Sequence, residues 1–249
     1  MRIAIISDIH GNVLALEAVL ADIARQGAQR IVDLGDRVSG PLWPRETFDR
    51  LKSLGIPGVR GNHDRIVGEG AREGMGPPDA VAWDALDAPS RAELSALPFT
   101  ADFAPGLRAF HATPAHDDRY TLDDIHEGRL FRADIAKIAL RLGGFEARII
   151  LMGHSHRPEM VRLPDGRVLI NPGSVGDPGY EDTTGQRHVS EAGTPHARYA
   201  LLDTADLAFP DVTFRAVTYD FERAARQAEK HGRAEWAHAL RTGLMPRPA

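Results

Sequence analysis

Gly61-Asn62-His63-Asp64 sets a glycine, an amide, an imidazole and a carboxylate in a row, directly after the short apolar segment 56–60. A hydrophobic core has no use for those side chains together. Projected into a cleft, an amide oxygen can ligate a hard or borderline cation, and the neighbouring imidazole can donate a proton or a hydrogen bond. Similar polar clusters recur at Asp8-Ile9-His10, Gly35-Asp36, His111 and Gly153-His154-Ser155-His156. Taken singly, each has a plain reading: Asp8 caps a helix, Gly35-Asp36 makes a turn, His111 is structural, and the paired histidines are exposed. Their joint order, with a strand-like segment before every one, points instead to convergence on a pair of metal ions. The chain has no cysteine, so nitrogen and oxygen must hold any transition metal. Disulfides, zinc–thiolate sites and thiol nucleophiles are excluded on the same ground.

Those clusters need elements that carry them to one place. Residues 2–7 read as a buried strand, and Asn12 as the N-cap of a helix over 13–26 that stops at Gly27. A second strand is expected at 30–34, a helix opened by Pro44 over 44–54, and a third strand at 56–60. Strand–helix–strand crossovers at this spacing imply a parallel sheet, in which binding groups gather beyond the carboxyl ends of the strands. Asp8, Asp36 and Asn62 fall there. Residues 65–98 read as a cap segment beside the cleft, with short helices at 79–86 and 90–97. Strands at 99–103 and 107–112 turn at Pro105-Gly106, a helix follows over 131–142, and a strand at 148–152 ends on the His154 cluster. A hairpin at Pro164-Asp165-Gly166 joins 159–163 to 167–170; strands at 199–203 and 212–219 precede a helix over 221–231 capped by Asp220. The pattern predicts two packed sheets sandwiched by helices. Residues 172–198 contain few apolar side chains and read as a long loop bordering the active site or a subunit contact.

A chain of 249 residues, 43% hydrophobic, can bury one substantial core, and no linker or charge block divides it, so one domain over 1–249 is expected. The net charge of −5, with scattered Lys and Arg, gives no footprint for gripping an extended nucleic acid. The apolar run 3–6 begins almost at Met1, leaving no room for a signal peptide, and no stretch approaches membrane-spanning length. The expectation is a cytoplasmic protein without a membrane partner, with self-association left open.

Asp8-x-His10, Gly35-Asp36, Gly61-Asn62-His63-Asp64, His111 and Gly153-His154-x-His156 together resemble the five signature motifs of the calcineurin-like metallophosphoesterase superfamily. Asn171-Pro172-Gly173-Ser174-Val175-Gly176 and Thr218-Tyr219-Asp220 resemble its small bacterial and archaeal phosphodiesterase branch. The resemblance implies an α/β fold, a four-layer α/β/β/α sandwich of two mixed sheets flanked by helices. It implies two divalent transition-metal ions, manganese first and iron, nickel, cobalt or zinc as alternatives. One would take Asp8, His10 and His156, the other Asn62, His111 and His154, with Asp36 bridging. The implied activity is hydrolysis of small phosphodiesters by in-line attack of a metal-bridging hydroxide. Hydrolysis of diadenosine polyphosphates or phosphomonoesters is the alternative, and a non-catalytic metal-bound scaffold a third reading. His63 is the implied catalytic imidazole, touching the phosphate or protonating the leaving oxygen, and Asn62 also faces the substrate. There is no Gly-x-Ser-x-Gly elbow, and Ser155 reads as a spacer.

This sequence departs from the family at two places. Where protein serine/threonine phosphatases carry an aspartate that orients the catalytic histidine, it has Ser39, which argues against a protein phosphatase and leaves His63 without an identified orienting partner. Where relatives usually have glycine, it has Ala112. Arg37, Arg119 and Arg157 are further candidates for gripping phosphate, Tyr120 and Trp43 for stacking on a base or aromatic leaving group, and Asn171 for lining the cleft.

Overall fold

In β1 (Arg2–Ile6), Ile3 and Ile5 turn to one face and Ala4 and Ile6 to the other, and all four are buried. That is the pattern of a strand covered on both sides. The structure, a computed structural model, describes residues 1–247. α1 (Val13–Gln26) starts where the Asn12 side chain accepts the Ala15 N–H, and it ends on left-handed Gly27. β2 (Arg30–Asp33) pairs parallel with β1, and α2 (Pro44–Leu54) opens at Pro44. Residues 56–60 do not form the expected third strand. They make one parallel bridge, Asp33 with Gly58, because Pro57 has no N–H to donate and Gly58 has no side chain to pack.

The Gly61 cluster therefore follows a single bridge and opens a helix, α3 (Asn62–Glu69). α4 (Pro77–Ala85) and α5 (Ala88–Ser95) follow, each starting two residues before the expected short helix, with proline in the first turn. These three helices pack on a small core of Val38, Phe48, Val67, Ala82, Leu86 and Leu94, so the cap segment is a helical layer.

β3 (Thr100–Ala104) and β4 (Leu107–Phe110) form the expected hairpin. β5 (Asp123–His126) and β6 (Arg129–Arg132) form an unanticipated one, turning at Glu127-Gly128, both with positive φ. The helix expected from 131 begins only at α6 (Ile135–Leu142): Leu130 is buried and Phe131 half exposed, an alternation that belongs to a strand. β7 (Ile149–Leu151), β8 (Glu159–Arg162) and β9 (Val168–Asn171) stand where the sequence put them. The expected long loop instead contains β10 (Gly179–Asp182) and β11 (His188–Glu191). Their inward groups are polar (Tyr180, His188, Ser190), which removes the apolar alternation that marks a strand. β12 (Ala197–Asp203), β13 (Asp211–Val217), α7 (Phe221–Lys230) and an unanticipated α8 (Ala234–Thr242) complete the order.

Two mixed sheets, β13-β12-β1-β2 and β3-β4-β7-β9-β8, lie face to face. Between them pack Ile3, Ile5, Leu34, Leu107, Ile149 and Leu202. Ile6, Leu16, Val19, Tyr199, Ala224 and Leu240 fill the layer between the first sheet and its helices, and Phe110, Ile138, Leu142, Ile150 and Leu169 that between the second sheet and α6. The four-layer sandwich is present, with a third mixed sheet, β10-β11-β6-β5, added beside it. β1, β2, β4 and β7 all end at one edge of this sandwich, and the residues just past them are the polar clusters.

Candidate metal centre and cleft

At that edge, Asp8, His10 and His156 bring ligand atoms within 4.8 Å of one another, and Asp36, His111 and His154 do the same. The backbone is bent to achieve this. Asp8, His10, Asp36, His154 and His156 have φ between 50° and 67°, a region that costs an L residue roughly 1–3 kcal/mol. Among the described residues only one other non-glycine residue, Glu127, shares it. The cost is offset by packing around each loop. Asp8 N–H donates to the Gly35 carbonyl at 2.9 Å, His10 N–H to Asp36 O at 3.0 Å, and Gly153 N–H to His111 O at 2.8 Å. Gly153 is required by the crowding: a Cβ there would strike Ser7 Oγ and stand 2.7 Å from Asp8 Oδ2.

Three imidazoles are held the same way. His10 Nδ1 donates to the Ser39 carbonyl at 2.8 Å, His111 Nδ1 to Leu34 O at 2.7 Å, and His156 Nδ1 to Asp177 O at 2.8 Å. A carbonyl can only accept, so each Nδ1 carries the proton and each Nε2 points its lone pair inward. Inward, Nε2 of His10 faces Nε2 of His156 at 3.2 Å, and Nε2 of His111 faces Asp36 Oδ2 at 3.2 Å. Asp36 Oδ2 also lies 3.9 Å from His10 Nε2, which places this carboxylate between the two groups. Asp8 Oδ1 is buried without a hydrogen bond, and the Asn62 amide oxygen faces only acceptors, 3.2 Å from His111 Nε2. Lone pairs converging at such distances repel unless positive charge sits among them. The donor set, imidazole nitrogens with carboxylate and amide oxygens, fits divalent cations.

The electrostatics agree. Burial disfavours charge on every ring, and it prevails at His10 and His154, whose pKa values fall to about 4 and about 3. At His111 burial is outweighed by the Asp36 and Asp8 carboxylates, which raise it to about 10, and at His156 by Asp8. Burial pushes the Asp8 and Asp36 carboxyls up, but the facing imidazoles outweigh it and hold both below the ordinary range.

His63 stands beside these groups, its ring centroid 5.5 Å from that of His10, and its backbone N–H donates to Asp36 Oδ1 at 2.9 Å. Its Nδ1 donates to Asp79 Oδ1 at 2.7 Å, and the Ser39 hydroxyl donates to the same oxygen at 2.7 Å. Asp64 ties the loops together, accepting from Asp36 N and Gly61 N through Oδ2 and from Arg37 N through Oδ1. A cleft of about 1450 Å³ opens over the site, lined by the cap, by β10 and β11 with the turn between them, and by Arg233, Glu235 and Trp236 near α8. Asp177, Gly179, Tyr180, Arg187 and Val189, within the segment 172–198, are among the residues that line it.

Other sequence candidates lie elsewhere. Arg37 turns to Asp33 at 2.6 Å and does not line the cleft; Arg157 is held by Asp123 at 2.9 Å. Arg119 lines a small void behind the His154 loop. Trp43 packs against the helical core under Arg223. Tyr120 stacks on His154 at 4.9 Å, its hydroxyl engaged by Tyr180 and His188. Asn171 is buried and donates to the Gly153 carbonyl and to Ser155 Oγ, so it stiffens the His154 loop from behind. Ala112 keeps negative φ and needs no glycine. The sequence reading missed Asp79, whose signal was an acid in the first turn after Pro77-Pro78, and it missed the carbonyls of Leu34, Ser39 and Asp177, for which no side-chain signal exists.

A family model of the calcineurin-like phosphoesterase superfamily domain matches residues 1–205. The chain is 29% identical over 258 residues to an uncharacterized protein of Methanocaldococcus jannaschii, covering 94% of each. It superposes on a crystal structure of a metallophosphoesterase from Sphaerobacter thermophilus with TM-score 0.74 and 28% identity, covering 98% and 99% of the two chains. A hypothetical protein from Pyrococcus horikoshii shares the fold at TM-score 0.75 and 19% identity, over 97% and 98%. No helix among the described residues is long and apolar enough to cross a membrane. With these matches and the candidate ligand groups at the sheet edge, the chain belongs to the calcineurin-like phosphoesterase superfamily.

Proposed function

We propose that this protein is a dinuclear metal-dependent phosphoesterase acting on small phosphodiesters. The observation that carries the reading is the inward set of Nε2 lone pairs, locked by backbone carbonyls around Asp8 and Asp36. Asp8, His10 and His156 would hold one cation, Asn62, His111 and His154 the other, and Asp36 both. A pair of divalent cations, manganese foremost, supplies Lewis acidity toward phosphoryl oxygens and acidifies water at neutral pH. The chain does the rest. His63 offers Nε2 to the cleft, since Nδ1 is engaged by Asp79; as an imidazolium it can pass its Nε2 proton to the leaving oxygen and is left neutral, with Nδ1–H still on Asp79. Asn62 and His63 open helix α3, whose N-terminal dipole favours an anion.

The cleft's charge supports the diester reading. Its guanidiniums at Arg65, Arg129, Arg187 and Arg233 are paired with Asp117, Glu191, Glu181 and Glu235, and Arg247 also lines it. Glu73, Asp118, Glu127 and Asp182 add further negative charge. A singly charged phosphodiester fits such walls better than a dianionic monoester or a dinucleoside polyphosphate. His63 beside the ligands also favours an enzyme over a scaffold. Turnover of bis-p-nitrophenyl phosphate with added Mn²⁺, exceeding that of p-nitrophenyl phosphate and of diadenosine tetraphosphate, is the expected result. No turnover of any ester with any divalent metal would remove the reading. On diphenyl phosphate, whose leaving phenolate needs a proton, His63→Ala should cut turnover by roughly 10²–10⁴-fold with cation content unchanged.

A further inference from the structure

The sequence leaves His63 without an orienting acid, because Ser39 occupies the place where one was sought. The structure brings an acid there from another part of the chain. Asp79 lies in the first turn of α4, sixteen residues beyond His63, and is only 5% exposed. Its Oδ1 stands 2.7 Å from His63 Nδ1 and 2.7 Å from Ser39 Oγ, while Ser39 Oγ is 3.3 Å from His63 Nδ1. The Ser39 hydroxyl has one proton and gives it to Asp79, so the carboxylate is the acceptor for the ring. Both residues are fixed independently of His63. Asp79 sits at a helix N-terminus, where the backbone dipole favours a carboxylate. Gly40 N–H donates to the Pro78 carbonyl at 3.3 Å, and Ala82 packs with Val38 in the cap core. A buried carboxylate aimed at one nitrogen of a ring that lines the cleft has a definite consequence. It keeps the proton on Nδ1 and fixes the rotamer, so that Nε2 is the nitrogen presented to bound ester.

We infer that Asp79 is the positioning residue for His63, held by Ser39 and delivered by the cap, so that the cap helix α4 is part of the catalytic arrangement as well as a wall of the cleft. The inference rests on the hydrolase reading for its kinetic consequence and on geometry alone for the contact. Asp79 stands at the cleft wall with its Oδ1 turned to the ring, and its assigned role is exerted through His63.

The test pairs a kinetic and a spectroscopic readout on the full-length chain. With Mn²⁺ present, Asp79→Asn and Asp79→Ala should lower kcat about 10- to 100-fold on diphenyl phosphate, whose leaving phenolate needs a proton. On bis-p-nitrophenyl phosphate the loss should be only severalfold. KM and manganese content should stay within about twofold. The double variant His63→Ala/Asp79→Ala should be no slower than His63→Ala, since the two residues act as a unit. Asp79→Glu should recover part of the rate. Independently of turnover, ¹⁵N-resolved imidazole spectra should show a downfield Nδ1–H resonance that vanishes in both His63→Gln and Asp79→Ala. An unchanged His63 resonance in Asp79→Ala overturns the inference even if no ester is hydrolysed. So does a variant that loses cations or raises KM with kcat spared, which would make Asp79 merely a support of the cap. If wild type turns over no ester while the resonance behaves as expected, the functional reading fails and the contact stands.

Discussion

Gly61→Ala is a sharp perturbation of the site because it adds one methyl group and leaves the backbone at ease. Gly61 has φ −84° and ψ 171°, extended values that alanine adopts freely. The added Cβ would collide with Asp36 Oδ1 and lie 2.5 Å from Asp36 N and 2.7 Å from Asp36 Cγ. Ordinary carbon contacts begin near 3.4 Å, so the Asp36 carboxylate must move by about 1 Å. Asp36 N is itself pinned to Asp64 Oδ2 at 2.8 Å, which leaves the backbone little room to yield. Overpacking of this kind costs about 1–3 kcal/mol. If that cost falls on the cation-binding arrangement, Mn²⁺ affinity drops roughly 10- to 100-fold. Gly144→Ala is the control, since a Cβ at Gly144 meets nothing within 4 Å and its φ is not positive. Calorimetric Mn²⁺ titration, with thermal unfolding of the cation-free variants alongside, is the assay. Wild-type Mn²⁺ affinity in a folded Gly61→Ala chain would refute the placement of Asp36 against the Gly61 loop and its role as the shared ligand.

Two further predictions concern the frame around the site. The Asp22 carboxyl is raised by burial but pulled down more strongly, to about 2, by hydrogen bonds from Tyr199, Arg215 and Arg25. A depressed carboxylate contributes stability above its ordinary value of 3.8 and loses it as pH falls through about 2. Asp22→Asn should therefore cost roughly 1–2 kcal/mol at pH 7, with solvent screening at Arg25 taken into account, and the gap to wild type in urea unfolding should close toward pH 2. Tyr120→Phe keeps the ring on His154 but removes the hydroxyl shared by Tyr180 and His188; it should cost about 1–2 kcal/mol in the same assay while Mn²⁺ affinity changes less than about threefold.

What the sequence disclosed depended on whether local chemistry and tertiary role coincided. Ile3 to Ile6 is buried on both faces and reads as a strand from its composition, and the polar residues after it mark a sheet edge whatever packs elsewhere. Asp8, His10, Asp36, Asn62, His111, His154 and His156 were legible as candidates because side chains able to hold a cation announce themselves by type, and the structure places all seven at that edge. β10 and β11 were not legible, since a strand whose buried face meets tyrosine, histidine and serine loses the apolar alternation. The segment 56–60 failed for the opposite reason: its apolar residues pack, but Pro57 and Gly58 cannot sustain a ladder. Arg37, adjacent to Asp36, looked like a phosphate grip, and its guanidinium is taken by Asp33 on the far side of the loop. Asp79 was marked locally only as an acid in a helix's first turn; its pairing lay beyond any local rule, because the partner is a histidine in a different helix.

The central claim is that Asp36 joins two cation positions at the sheet edge. Anomalous diffraction from crystals grown with Mn²⁺ tests it directly. The expected result is two peaks flanking the Asp36 carboxylate, one against Asp8, His10 and His156 and the other against Asn62, His111 and His154. A single peak, or two peaks that leave Asp36 outside ligand distance of either, contradicts it.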